Sequence, residues 1–148
     1  MTADDAYTTA VRIDAPPVDV FPYLTDAELM VQWMGEWAEL QPKAGGALAI
    51  DISGVPIRGE YLVVEPPHRV VFSWGAAGSD LLAPGSTTVE IVLRPDGAGT
   101  VLELVHRGLP PEELPRHGIG WGHFLERLVI AAPGGEPGPD PWATPADA

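Results

Sequence analysis

Val89-Glu90-Ile91-Val92-Leu93-Arg94-Pro95-Asp96-Gly97-Ala98-Gly99-Thr100-Val101-Leu102-Glu103-Leu104-Val105-His106 reads as two β-runs around a turn. Apolar and polar residues alternate with the period of two that a half-buried strand requires, and Asp96-Gly97-Ala98-Gly99 has the residues of a tight hairpin. Whether the loop is centred on 96–97 or 97–98, parity puts Val89, Ile91 and Leu93 on one face with Leu102, Leu104 and His106. Glu90 and Glu103 fall on the opposite, solvated face, where they read as surface carboxylates and not as a general acid/base pair.

The same pattern extends outward. Around Pro66-Pro67 a symmetric turn sets Val63 against Val70, Tyr61 against Phe72 and Gly59 against Trp74, with Arg58, Glu60 and Ser73 on the other side. Leu48, Ile50 and Ile52 alternate with Asp51 in the same sense, so the inner wall is apolar and rich in aromatic rings. Short β-type runs at 36–41, 46–53, 57–65, 69–76, 86–94 and 100–107 form a meander, preceded by a strand at 6–13. Between that first strand and the meander, Pro16-Pro17 suits a helix's first turn, and Thr25-Asp26-Ala27-Glu28 has a capping-box form. Two short helices, about 17–23 and 26–33, follow from these signals. Past Pro110-Pro111 the period becomes helical, with Trp121, Leu125 and Leu128 on one stripe and an end near Ala132.

That last helix contains Gly118, Gly120 and Gly122, each costing about 1 kcal/mol relative to Ala in a helix interior. Burying Trp121, Leu125 and Leu128 returns about 1.5–3 kcal/mol apiece. The expectation is an irregular start, with small residues flanking Trp121 for close approach of backbone, side chain or ligand. Strand, two small helices, antiparallel strands and a long closing helix make an α+β domain with the helices on one face of the sheet.

Composition narrows the function. The 148 residues carry 21 acidic against 8 basic side chains, a formal charge of −13, which repels nucleic-acid phosphates and anionic membrane surfaces unless the arginines cluster. They are scattered from Arg12 to Arg127. There is no cysteine, which excludes thiolate nucleophiles and sulfur-based zinc sites, and no apolar run long enough to span a membrane. The acidic opening Met1–Asp5 does not read as a signal peptide, so a cytoplasmic address is expected. Eight of the 34 Gly and Pro residues lie in 133–148, read as a tail after a domain at 1–132. Trp142, within it, either tucks onto an apolar surface or stays with the tail.

Signatures of familiar chemistry are missing. The four histidines show no HExxH or other paired helical spacing, and neither a Gly-x-Ser-x-Gly elbow nor a dinucleotide fingerprint occurs. Glu113 and His117 lie one turn apart, as do His123 and Glu126, pairs that read as solvated helix surface. No metal ion, cofactor or catalytic residue is therefore expected. His106 stands out because parity puts an ionisable ring on the inner face at a strand end, either bonded to backbone or in contact with a ligand.

Ile13-Asp14-Ala15-Pro16-Pro17-Val18-Asp19-Val20-Phe21, Leu24-Thr25-Asp26, Trp33, Gly59-Glu60-Tyr61, Glu65-Pro66-Pro67-His68-Arg69-Val70-Val71-Phe72-Ser73-Trp74, Thr88-Val89-Glu90-Ile91, 99–106 and Gly120-Trp121 together resemble the START-like, helix-grip SRPBCC superfamily. Within it, they are similar to the family of the activator of heat-shock protein 90 ATPase, over residues 6–132. The resemblance implies a seven-stranded antiparallel sheet gripping the C-terminal helix, with a hydrophobic cavity between them that accepts an apolar molecule in many relatives. It also spans carriers, polyketide cyclases and aromatases, and a co-chaperone.

The expected function is non-catalytic binding of a hydrophobic small molecule, lipid or aromatic and polyketide-like. The expected lining is Trp33, Ile50, Tyr61, Phe72, Trp74, Ile91, Leu104, His106, Trp121 and Leu125. The rival expectations are a cyclase-type enzyme using His106 as acid or base, and an interaction module with a chaperone partner or a second copy of the chain. For the last, the docking surface would be the acidic segment 1–42, with 8 acids and Arg12 as its one basic residue.

Overall fold

The computed structural model describes residues 6–142, so Met1–Asp5 and 143–148, with the readings made of them, lie outside it. Seven antiparallel strands form one sheet: β1 (Ala6–Ile13), β2 (Trp37–Leu40), β3 (Ala47–Ile52), β4 (Val55–Glu65), β5 (Arg69–Trp74), β6 (Thr87–Asp96) and β7 (Gly99–Arg107), in the order β1-β7-β6-β5-β4-β3-β2. The meander is unbroken from β2 to β7, and β1 closes onto β7. Among the described residues, no helix is long and apolar enough to cross a membrane.

The β6–β7 register follows the alternation. Val89 faces His106, Ile91 faces Leu104 and Leu93 faces Leu102, all six buried, with Gly97 and Ala98 as the two-residue loop. On the outer face Glu90 accepts from Arg69 Nε at 2.8 Å and Arg107 Nη1 at 3.0 Å, and Glu103 accepts from Arg94 Nε at 2.9 Å. These are the solvated ion pairs that parity implied.

The β4–β5 register departs from symmetry. Tyr61 faces Phe72 as expected, but a bulge before Val63 sets Val63 against Val71 and gives Val70 to Val64. The extra residue rotates the strand, so Val64 in place of Val63 packs on the core. Tyr61↔Phe72 and the isolated bridge Ile57↔Ala76 share one register, which sets Gly59 across from Trp74. The glycine is required for a different reason: a Cβ there would lie 2.0 Å from the Ser73 carbonyl oxygen.

Between β1 and β2 lie α1 (Pro17–Val20), a 3₁₀ turn at Phe21–Leu24 and α2 (Ala27–Met30), shorter than the sequence pattern suggests. Pro17 occupies the first turn of α1. The cap of α2 is Asp26 and not Thr25, its carboxylate accepting from the Glu28 and Leu29 amides at 2.9 and 3.3 Å.

The closing helix differs most. A 3₁₀ turn at Pro111–Glu113 leads into α3 (Leu114–Ala131), which is regular through all three glycines. Pro115 is accommodated because the first-turn amides have no intrahelical partner. Trp121, Phe124, Leu125 and Leu128 are buried against the sheet and outweigh the propensity cost. The glycines are not equivalent: a Cβ at Gly118 would meet the Tyr7 ring at 2.9 Å, while at Gly120 and Gly122 nothing lies within 4 Å. Gly122→Ala should therefore stabilise the protein by about 0.5–1 kcal/mol in urea denaturation, the helix-propensity difference. Gly118→Ala should give no gain, because Tyr7 must move.

Candidate functional site

Most of the space between α3 and the sheet is filled. Trp33, Ile50, Tyr61, Phe72, Ile91, Leu104, His106 and Leu125, all expected to line a cavity, are at most 1% exposed and pack in the continuous core or beside it. Their polar atoms are used internally. The Trp33 indole donates to the Tyr23 carbonyl at 2.9 Å and the Tyr61 hydroxyl to the Leu24 carbonyl at 2.9 Å. Tyr61 thereby ties the 3₁₀ turn to the sheet and Trp33 ties it to the turn after α2, and burial pushes the Tyr61 phenol above its ordinary pKa.

His106 belongs to the same core. The Trp121 indole can only donate, so His106 Nδ1, at 3.0 Å, is the acceptor. His106 Nε2 then carries the proton and donates to Thr87 Oγ1 at 2.9 Å, while Thr87 passes its own hydrogen to the Trp74 carbonyl at 2.8 Å. Burial, with the neighbouring His117 adding to it, pushes His106 down to about 3, so the ring is neutral at pH 7. It fixes the position of Trp121 and is not among the residues that line the domain's open space.

The open space lies at one end of the domain, a cavity of about 530 Å³ between the first half of α3, the β3–β4 tip and the loop from β5 to β6. Trp74 and Trp121 are the two expected residues that line it. With them stand Met34, Ile52, Ser53, Val55, Ile57, Ala76, Ser79, Leu82, Glu113, Arg116, His117, Gly120, Phe124 and Trp142. Trp74 and Trp121 lie 5.3 Å apart between ring centres, and the buried Trp74 indole N–H has no acceptor among the described residues.

Each wall has a local cause. Gly75 starts the β5–β6 loop where a Cβ would lie 1.9 Å from the Ala83 carbonyl oxygen, so the loop doubles back and presents Ala76, Ser79 and Leu82. Ser53 and Gly54, both at positive φ, make the two-residue turn between Ile52 and Val55. Gly120 leaves the helix face bare at the centre of the cavity wall.

The fourth wall comes from the stretch read as a tail. Residues 133–142 return along α3, where Arg127 donates to the Gly138 carbonyl at 2.9 Å. His123 Nε2 lies 2.8 Å from Asp140 Oδ1, which also accepts from the Trp142 amide at 2.9 Å, so His123 is matched with Asp140 and not Glu126. The Trp142 ring stacks on His123 at 3.7 Å and stands edge-on to Phe124 at 5.8 Å, while its carbonyl accepts from the Ser53 hydroxyl.

The polar side is Glu113 and His117, which sequence spacing had assigned to solvated surface. Glu113 is 9% exposed, and His117 Nδ1 lies 3.2 Å from its carbonyl oxygen and 3.3 Å from Oε1. The Arg116 guanidinium is 3.6 Å from the same carboxylate. The one-turn spacing was the signal available in the sequence; the loop and Trp142 that enclose it had none. No group of three or more metal-ligating side chains occurs among the described residues.

A curved antiparallel sheet closed by one long C-terminal helix, with a cavity between them, defines the helix-grip class. The family described as activator of Hsp90 ATPase homolog 1-like protein matches residues 14–132, and the chain belongs to that family. It is 39% identical to an AHSA1-like protein of Rhizobium etli, over 98% of this chain and 93% of that one, with a TM-score of 0.72. DynU16, a protein in the dynemicin biosynthetic locus, is 27% identical over 90% of this chain with a TM-score of 0.79, and this chain spans about half (49%) of its length. An Hsp90 activator of Plasmodium falciparum is 25% identical over 84% of this chain and 94% of that one, with a TM-score of 0.72. No curated protein matches.

The buried neutral His106 makes stability depend on pH. Its folded pKa lies below the unfolded value near 6.5, so its contribution is complete above pH 6.5 and is lost as pH falls toward 3. Between pH 7.5 and 5, above the ordinary carboxylate range, this group alone should cost about 2 kcal/mol. His106→Gln should be less stable at pH 7.5 but show a flatter urea-denaturation profile over that interval.

Proposed function

We propose that the protein binds a hydrophobic small molecule, lipid or aromatic and polyketide-like, in the cavity beside Gly120, without catalysing its conversion. The observation that carries this reading is an open space of about 530 Å³ walled by Trp74, Trp121, Phe124 and Trp142 in a domain whose interior is otherwise filled. The volume falls in the range of small-molecule sites, and transfer of apolar surface from water supplies the driving force. Few polar groups converge on the space, which suits retention of a guest more than its chemical conversion. The likeness to DynU16 supports a natural-product guest.

A chaperone partner is the second reading, favoured by the likeness to the Hsp90 activator. A second copy of the chain belongs with it, since both place function on the outer surface and not in the cavity.

Gly120 offers the test, because a side chain there projects into space with no atom within 4 Å of its Cβ. Tryptophan fluorescence titrated with a panel of fatty acids and fused-ring aromatics should show saturable changes from the three lining indoles. Gly120→Leu should weaken binding at least tenfold without lowering Tm. Unchanged affinity in this variant, or no binding by any member of the panel, removes the cavity reading.

A further inference from the structure

We propose, resting on the cavity reading above, that His117 selects guests carrying a weakly acidic hydroxyl, a phenol or an enol, by accepting its hydrogen bond at Nε2. The tautomer follows from the partners. Nδ1 faces the Glu113 carbonyl oxygen at 3.2 Å, and a carbonyl can only accept, so Nδ1 carries the hydrogen. The second acceptor at Nδ1 is the Glu113 carboxylate at 3.3 Å, which reinforces this orientation.

His117 Nε2 then holds a lone pair. Among the described residues it has no hydrogen-bond partner, and it is not one of the buried unpartnered atoms, which are Trp74 Nε1 and Arg127 Nε. His117 is part of the cavity wall, so the lone pair is open to a guest. Burial holds the pKa of this ring below its ordinary value, only partly opposed by the bond to Glu113, and the ring is uncharged at pH 7.

The ring is also held in place. It stands edge-on to His106, 5.2 Å between centres and at 87°, and His106 is itself locked between Trp121 and Thr87. A fixed acceptor beside the tilted indoles of Trp74 and Trp121 matches a planar ring bearing a hydroxyl on its edge. A carboxylate guest fits poorly at this atom, because it brings acceptors to a lone pair and to the neighbouring Glu113 carboxylate. An ether has no hydrogen to donate. A phenol or enol hydroxyl is a stronger donor than an aliphatic alcohol, so it forms the stronger hydrogen bond to a preformed acceptor.

Three probes of one shape separate the outcomes: 2-naphthol, 2-methoxynaphthalene and 2-naphthoate, measured by equilibrium dialysis at pH 7.5 against the full chain. The naphthol should bind about fivefold more tightly than the ether, the worth of one neutral hydrogen bond, with the naphthoate weakest. In His117→Phe, which keeps a flat ring against His106, the naphthol should fall to the affinity of the ether. If that variant does not fold, His117→Leu, which likewise has no acceptor, replaces it, and the ratio in the unmodified protein still decides. Equal affinity for naphthol and ether, or a preference that survives in the variant, overturns the hydroxyl selection alone. Binding of none of the three overturns the cavity reading and this inference with it.

Discussion

One hydrogen bond seats the long helix. The Trp121 indole N–H donates to His106 Nδ1, and the chain continues through Thr87 to the Trp74 carbonyl, joining α3 to β7, β6 and β5 in the dry interior. Every donor in the series has its acceptor, so the cost of burying these groups is offset. A single protonation state satisfies the series, with His106 neutral and its hydrogen on Nε2. The helix therefore has one azimuth and one height over the sheet. Once these are set, the second half of the helix, with Leu125 and Leu128, closes down on the sheet, and the first half, with His117 and Gly120, is left beside open space.

The cavity is the geometric consequence of that seating. Past Phe124 the helix buries Leu125 and Leu128 in the continuous core. Toward the start of α3 the helix offers glycine, and the β3–β4 tip and the β5–β6 loop stand apart. Trp142 reaches over the gap from the C-terminal segment, held by His123, Asp140 and Ser53. The same rings that give the site its apolar character also hold its walls apart, because indoles in tilted contact cannot collapse without losing their partners.

The outer face follows a different logic. Arg69, Arg94 and Arg107 pair with Glu90 and Glu103 across neighbouring strands, partly exposed and screened. Such pairs fit the pairing of strands more than they add stability. Among the described residues most of the remaining acids have no basic partner, and the chain's formal charge of −13 favours solubility and disfavours polyanions.

The alternation in 89–106 was sufficient by itself to say which side chains of β6 and β7 share a face, because side chains alternate with a strict period of two and a one-residue slip would bury Glu90, while the fold decided that the loop is centred on 97–98. Likewise the order of strands, the two prolines before α1 and the apolar stripe of α3 were legible, since local propensity and hydrophobic burial agree there. The bulge before Val63 was not, because alternation assumes an unbroken period of two and one extra residue between Tyr61 and Val63 breaks it. Nor was the regular course of α3 through its glycines, which Tyr7 packing and buried aromatics override. The location of the cavity was the least legible feature: parity says which residues face inward, but not where inward-facing side chains run out. That depends on the loop folded back at Gly75 and on a tryptophan more than 20 positions beyond Trp121, distances that only the folded chain closes. The spacing of Glu113 and His117 was visible all along, and only enclosure by these distant residues separates a binding edge from an ordinary wet helix surface.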